Sequence, residues 1–133
     1  MSEALVYLDS SAIIKLIFEE PETAAFVEFL VAWPNRVSSV LARVEVLRTS
    51  RRVGDSAVVR HAREILTGVH LVRADDGILA AAAALEPTTL RTLDSIHLAT
   101  AMSFGEELGG MVVYDRRLRT AARRAGLTTW APA

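Results

Sequence analysis

Four acidic side chains stand among residues that favour burial: Asp9, Glu45, Asp94 and Asp115. Asp9 closes the apolar run Leu5-Val6-Tyr7-Leu8 and is followed by Ser10 and Ser11. Asp115 repeats the arrangement after Met111–Tyr114, so LVYLDSSAIIKL and MVVYDRRLRTAA share one plan: apolar run, acid, helix-forming segment. Glu45 flanks the apolar stripe of SSVLARVEVLRTSRR, and Asp94 opens LDSIHLATAMSF, which is apolar nearly all round, as a buried central helix is. Burying a lone carboxylate is costly or forces its protonation. Converging carboxylates would repel one another unless a cation lay among them. Hard oxygen donors of this kind suit Mg²⁺, with Mn²⁺ as a substitute, held by a few carboxylates plus water. Zinc is disfavoured, because cysteine is absent and His61, His70 and His97 are scattered without an H-E-x-x-H spacing. His97, one turn from Asp94, reads as a hydrogen-bonded core histidine rather than a ligand.

Each acid also has an ordinary reading on its own. Asp9 and Asp115 could cap the helices that follow them. Glu45 could pair with Arg48 at the surface. Asp94 could simply favour the dipole of its own helix, although Thr92 is already available there as a cap. The other twelve of the sixteen acids lie in polar stretches or at turns and need no special account.

The elements that must position the four follow from the apolar pattern. Apolar runs predict strands at Leu5–Leu8, Val69–Val72 and Met111–Tyr114, and Arg36–Ser38 and Thr128–Trp130 are placed to add two more short ones. Between them lie helices: one capped by Ser10 or Ser11 and running to about Phe18, and one with Pro21 in its first turn. Further helices are predicted at Val40–Arg52 behind Ser39, at Ser56–Leu66 behind the Gly54-Asp55 turn, and at Ile78–Leu85 behind Asp75-Asp76. The last two run from the Thr92 cap to about Phe104 and from Arg116 to Ala125, the latter stopping at Gly126. Gly109-Gly110 reads as punctuation before the fourth strand. Strands apolar throughout and alternating with helices predict an α/β domain, its mostly parallel sheet of four to five strands covered on both faces. In such sheets ligands bind beyond the carboxyl ends of the strands, so Asp9 and Asp115 face one crevice if their strands are parallel neighbours.

Composition narrows the class. A chain of 133 residues with 51% apolar content is long enough for one well-buried domain, read as residues 1–133. No apolar run reaches the length of a membrane span, and the N-terminus lacks a basic stretch before its first strand, so a cytoplasmic, membrane-free protein is expected. A net charge of −1 argues against a globally cationic nucleic-acid binder. Arginine nevertheless supplies fourteen of the fifteen basic residues, and two clusters, Arg43–Arg63 and Arg116–Arg124, could meet phosphate locally.

The blocks YLDSSAIIKL, SSVLARVEVLR, LRTLDSIHLATA and VVYDRRLRTAA, in that order and spacing, resemble the PIN-domain ribonucleases, and within them the VapC toxins of type II toxin–antitoxin pairs. The resemblance covers nearly the whole chain and implies a three-layer α/β/α fold. It places the family's acidic quartet on Asp9, Glu45, Asp94 and Asp115. Asp9 and Asp94 would be the principal metal ligands, with Glu45 and Asp115 completing the pocket directly or through water. Ser11 falls on the small hydroxyl position that could orient Asp9. Arg116 and Arg117 are less typical and become candidates for RNA-phosphate contacts. The activity implied is Mg²⁺-dependent endonucleolytic hydrolysis of RNA by a toxin that a small VapB-like antitoxin holds inactive and that commonly forms homodimers. The rival is a catalytically silent PIN-like module that only binds RNA or a partner; four acids facing phosphate speak against it. A phosphatase of the haloacid dehalogenase kind would need a second Asp where Ser11 stands, and a receiver domain would need a late lysine, whereas Lys15 is the only lysine.

Overall fold

The computed structural model describes residues 4–133; the first three residues of the stretch read as lacking a basic leader lie outside it. Its elements run β1 (Leu5–Leu8), α1 (Ser10–Lys15), α2 (Thr23–Val31), β2 (Arg36–Ser39), α3 (Leu41–Arg51), α4 (Ser56–Thr67), β3 (His70–Val72), α5 (Asp76–Ala83), α6 (Thr92–Met102), β4 (Leu108–Val112), α7 (Arg116–Arg124) and β5 (Thr129–Trp130). The five strands form one sheet in the order β3-β2-β1-β4-β5, and every pairing is parallel.

Strand alternation divides the core between the two faces of this sheet. Val6, Leu8 and Val112 join Ile13, Phe26, Leu30, Val46 and Leu66 from α1–α4 on one side. Tyr7, Val37, Met111 and Val113 join Leu98, Leu118 and Ala121 from α6 and α7 on the other. Helix α5 adds a smaller cluster, Ile78 and Ala82 against Ala99 of α6. The result is the three-layer α/β/α arrangement expected, with a sheet wholly parallel rather than mostly so.

Several local expectations need correction. The cap of α1 is neither serine: Asp9 occupies the cap position and its Oδ1 accepts the Ala12 N–H at 2.9 Å. Helix α1 ends at Lys15, well short of Phe18, and α2 starts at Thr23, so Pro21 lies in the turn before it. Thr92 is the first residue of α6, not its cap; Arg91 holds the cap position and no side chain caps that helix. Asp94 is therefore not a surplus acid there, and its first-turn dipole role stands beside whatever else it does. Ser39 is not the cap either: Val40 holds that position in α3, and Ser39, one residue earlier, accepts the Leu41 N–H at 3.2 Å. Gly126 does stop its helix as expected, with φ at 91° and the Leu127 N–H returning to Ala122 O.

The glycine pair Gly109-Gly110 does not punctuate. Both residues lie inside β4, and the strand ends at Val112 instead of Tyr114. An aromatic cluster explains them: Trp33 and Trp130, ring centroids 4.9 Å apart, lie against the backbone where a side chain would otherwise project.

Candidate active site

β1 and β4 are parallel neighbours, with Tyr7 opposite Met111 and Leu8 opposite Val112. Asp9 and Asp115 follow these strands, so the two acids open onto the same crevice. It is a topological switch point, because the chain leaves β1 toward β2 on one side while β4 flanks it on the other. Each acid caps the next helix: Asp9 holds α1, and Asp115 Oδ2 accepts the Leu118 N–H at 2.9 Å to start α7. The capping reading and the site reading thus describe the same side chains, which local geometry holds at the mouth of the crevice.

Glu45 comes in from α3 and Asp94 from the first turn of α6. All four acids line one cavity of about 490 Å³, together with Ser10, Ser11, Arg91 and His97. Asp9 is its floor, only 4% exposed. Burial pushes the Asp9 carboxyl above the usual aspartate range; His97, the Ala12 N–H and Ser11 oppose that rise, and Asp94 adds to it. Ser11 donates to both Asp9 oxygens at 3.0 Å, the orienting contact expected of it. Asp94 is also raised, first by burial and then by Asp115 and Glu45, against the pull of Arg91 and His97. Arg91 Nε stands 3.6 Å from Asp94 Oδ2.

Glu45 behaves differently. Burial works to raise its carboxyl, but hydrogen bonds from His97 and Ser10 and the field of His97 outweigh it and hold the group below the usual range. It turns inward rather than pairing with Arg48. Ser10 donates to Glu45 Oε1 at 2.5 Å, and His97 Nε2 lies 2.9 Å from the same oxygen and 3.0 Å from Ser10 Oγ. On its far side His97 Nδ1 meets the Tyr7 hydroxyl at 2.7 Å. Burial raises the Tyr7 pKa, so the phenol keeps its proton beside Nδ1. Ser10 has spent its proton on Glu45, so Nε2 must carry the hydrogen that reaches Glu45 and the Ser10 oxygen.

The cavity presents hard oxygen donors, two of them carboxylates whose charge the surroundings disfavour. A divalent cation would relieve both. Among the described residues no three acidic or histidine side chains form a ready-made cage around one ion. This donor set fits Mg²⁺, which binds through one or two carboxylates and keeps several waters.

A family model described as PIN domain matches residues 6–124. The chain belongs to the PIN-domain family. Among relatives of this PIN domain, Ribonuclease VapC46 of Mycobacterium tuberculosis is 46% identical over 129 residues, spanning 97% of this chain and 98% of that one. Ribonuclease VapC47 of the same species is 36% identical over 132 residues, covering 96% and 97%. Two solved structures share the fold with a TM-score of 0.72. One is a toxin–antitoxin complex from Klebsiella pneumoniae, at 22% identity with 98% of each chain covered. The other is Mycobacterium tuberculosis VapC20, a sarcin–ricin loop cleaving toxin, at 18% identity and 96% and 99% coverage.

The cavity of this PIN domain gathers the four acids and Ser11 named from the sequence, and Ser10, expected as a cap, and Arg91, given no role, line it as well. His97 is the hydrogen-bonded core histidine expected, a polar ring that finds buried partners in a helix apolar nearly all round. Arg116 and Arg117 are exposed at the start of α7 and do not line the cavity; its one arginine is Arg91.

Proposed function

We propose that this chain is a metal-dependent endoribonuclease of the VapC kind, the toxin of a toxin–antitoxin pair acting in the cytoplasm. The observation that carries the proposal is the meeting of Asp9, Glu45, Asp94 and Asp115 around one cavity at the carboxyl end of a parallel sheet. Near-full-length similarity to proteins named VapC ribonucleases supports the same activity. Four carboxylates facing an anionic backbone would repel it; with a cation among them they become a phosphate site. Asp9 and Asp94 would be the principal ligands for Mg²⁺ or Mn²⁺, and Glu45 and Asp115 would act directly or through water. When bound, the ion lowers the pKa of a coordinated water and offsets charge on the scissile phosphate. Ser11 holds Asp9 in place, and the caps at Ala12 and Leu118 fix the first and last acids relative to each other. The reaction adds water across one P–O bond, giving a phosphate monoester and a free ribose hydroxyl. The toxin–antitoxin neighbour supports a VapB-like protein partner, and the family resemblance adds a homodimer. No helix among the described residues is long and apolar enough to cross a membrane.

The test incubates purified protein with total RNA, with and without chelator, and maps the new ends. Expected are discrete cuts in Mg²⁺ that vanish with chelator and return with Mn²⁺. Cleavage indifferent to chelator would overturn the metal reading, and intact RNA under all conditions would favour the silent module.

Arginine contacts are tested by salt. Each phosphate contact to single-stranded RNA adds about 0.7 to the slope of log affinity against log salt. If Arg116 and Arg117 both meet phosphate, replacing them with Gln lowers the slope by roughly 1.4 in filter binding. An unchanged slope places them off the RNA and leaves Arg91, exposed at the rim, to be replaced next.

A further inference from the structure

We infer that His97 is a positioning residue for the acidic site: anchored by Tyr7, it clamps Ser10 and Glu45 into one unit so that Glu45 offers a single oxygen to a bound ion. The inference rests on the metal-dependent reading above. Both hydrogen bonds to Glu45 fall on Oε1, from Ser10 at 2.5 Å and from His97 at 2.9 Å, and neither takes up Oε2 of this cavity-lining side chain. The clamp joins four elements, Tyr7 on β1, Ser10 on α1, Glu45 on α3 and His97 on α6, and His97 itself is 2% exposed.

Glutamate has one more rotatable bond than aspartate, and freezing a long side chain has an entropic cost that a ligand must otherwise meet on binding. Asp9 and Asp115 are already held by their caps, and Asp94 has the shorter side chain with Arg91 Nε 3.6 Å away. Glu45, in mid-helix, has no such local restraint, and the clamp supplies one. Partners of this kind behind ligating carboxylates commonly alter metal affinity by roughly 10–100-fold. The anchors also travel with the ligands: Tyr7 is two residues before Asp9, and His97 is three after Asp94. Any shift of β1 against α6 therefore moves ligand and clamp together.

Two polar substitutions separate positioning from mere packing. His97→Asn reaches only the Nδ1 position, keeping Tyr7 and releasing Glu45. His97→Gln carries its amide nitrogen to the Nε2 position, keeping Glu45 and releasing Tyr7. Mn²⁺ binding to the RNA-free protein, followed by electron paramagnetic resonance, is expected to weaken about 10–100-fold in His97→Asn. Most of that loss should return in His97→Gln. Cleavage in limiting metal should follow the same order, with the KM for RNA unchanged. Equal Mn²⁺ affinity in both variants, whether wild-type or lowered, overturns the clamp. Should either fail to fold, Ser10→Ala removes the other hydrogen bond to Glu45 Oε1; weakened Mn²⁺ binding supports the clamp and unchanged binding overturns it. Wild-type protein that binds no Mn²⁺ would overturn the metal reading itself, a result distinct from a wild type that binds and variants that bind equally.

Discussion

Asp9→Asn is expected to abolish RNA cleavage while leaving the metal-free protein at least as stable as the wild type. The loss of activity should exceed the roughly 100-fold that removal of an outer partner of a metal ligand causes, because Asp9 is proposed as a ligand itself. Stability should hold for two reasons. Asparagine ranks with aspartate as a helix cap, so the bond to the Ala12 N–H survives. The charge that disappears is one the fold disfavours. Burial first, and Asp94 in addition, raise the folded pKa of Asp9 above its unfolded value. A group shifted in that direction contributes stability below its unfolded pKa, about 3.9 for aspartate, and loses it as pH rises through the folded value. At neutral pH the ionised carboxylate therefore weighs against the empty fold, and asparagine relieves it. Denaturant melts in chelator should show Asp9→Asn equal or more stable at neutral pH, with the advantage disappearing in acid. Full cleavage by the variant, or a large loss of metal-free stability, would count against Asp9 as a ligand.

Gly110→Ala is expected to be the most damaging single-methyl change in the sheet. A Cβ at Gly110 would collide with the Trp130 ring and stand 2.7 Å from the Thr128 carbonyl oxygen. Neither obstacle gives way easily. Trp130 packs against Trp33 and Phe29, at centroid distances of 4.9 and 5.3 Å, and the Thr128 carbonyl accepts the Met111 N–H at 2.9 Å. Overpacking usually costs about 1–3 kcal/mol, and the involvement of backbone puts this case at or beyond the upper end. Urea unfolding of Gly110→Ala and of Gly110→Ala with Trp130→Leu provides the check. The double variant should recover part of the loss but not all, because the Thr128 clash remains. A cost within about 0.5 kcal/mol, the range of ordinary surface changes, would mean that β5 moves aside freely.

These two positions also mark what could be read before the fold was known. Asp9 and Asp115 were legible because an acid between an apolar strand and a helix is a local pattern, and its repetition in the chain gave it weight. Layering and strand number followed from the same local alternation. Gly110 was misread, since the reason for a glycine inside β4 is a tryptophan twenty residues later in sequence, met only across a strand pairing. The Tyr7–His97 and Ser10–Glu45 bonds span 90 and 35 residues and leave no periodic trace. Thr92 looked like a cap by residue type alone, while the chain put Arg91 in that position. Local chemistry could be seen in sequence; contacts decided by the closing of the sheet could not.

The pairing of β1 with β4 also carries a consequence for the order of events during synthesis. β1 lies at the centre of the sheet, yet its neighbour on the Asp115 side is made about a hundred residues later, and Asp94 emerges only shortly before it. A ribosome that has released β1 to α4 has produced two of the acids and two of the five strands, with the flank of β1 still open. Long-range parallel pairing is slow to form, since the intervening loop must first be closed. The four acids of the cavity therefore come together only once β4 docks, and on the function proposed above the capacity to cut RNA arrives at once, late in synthesis.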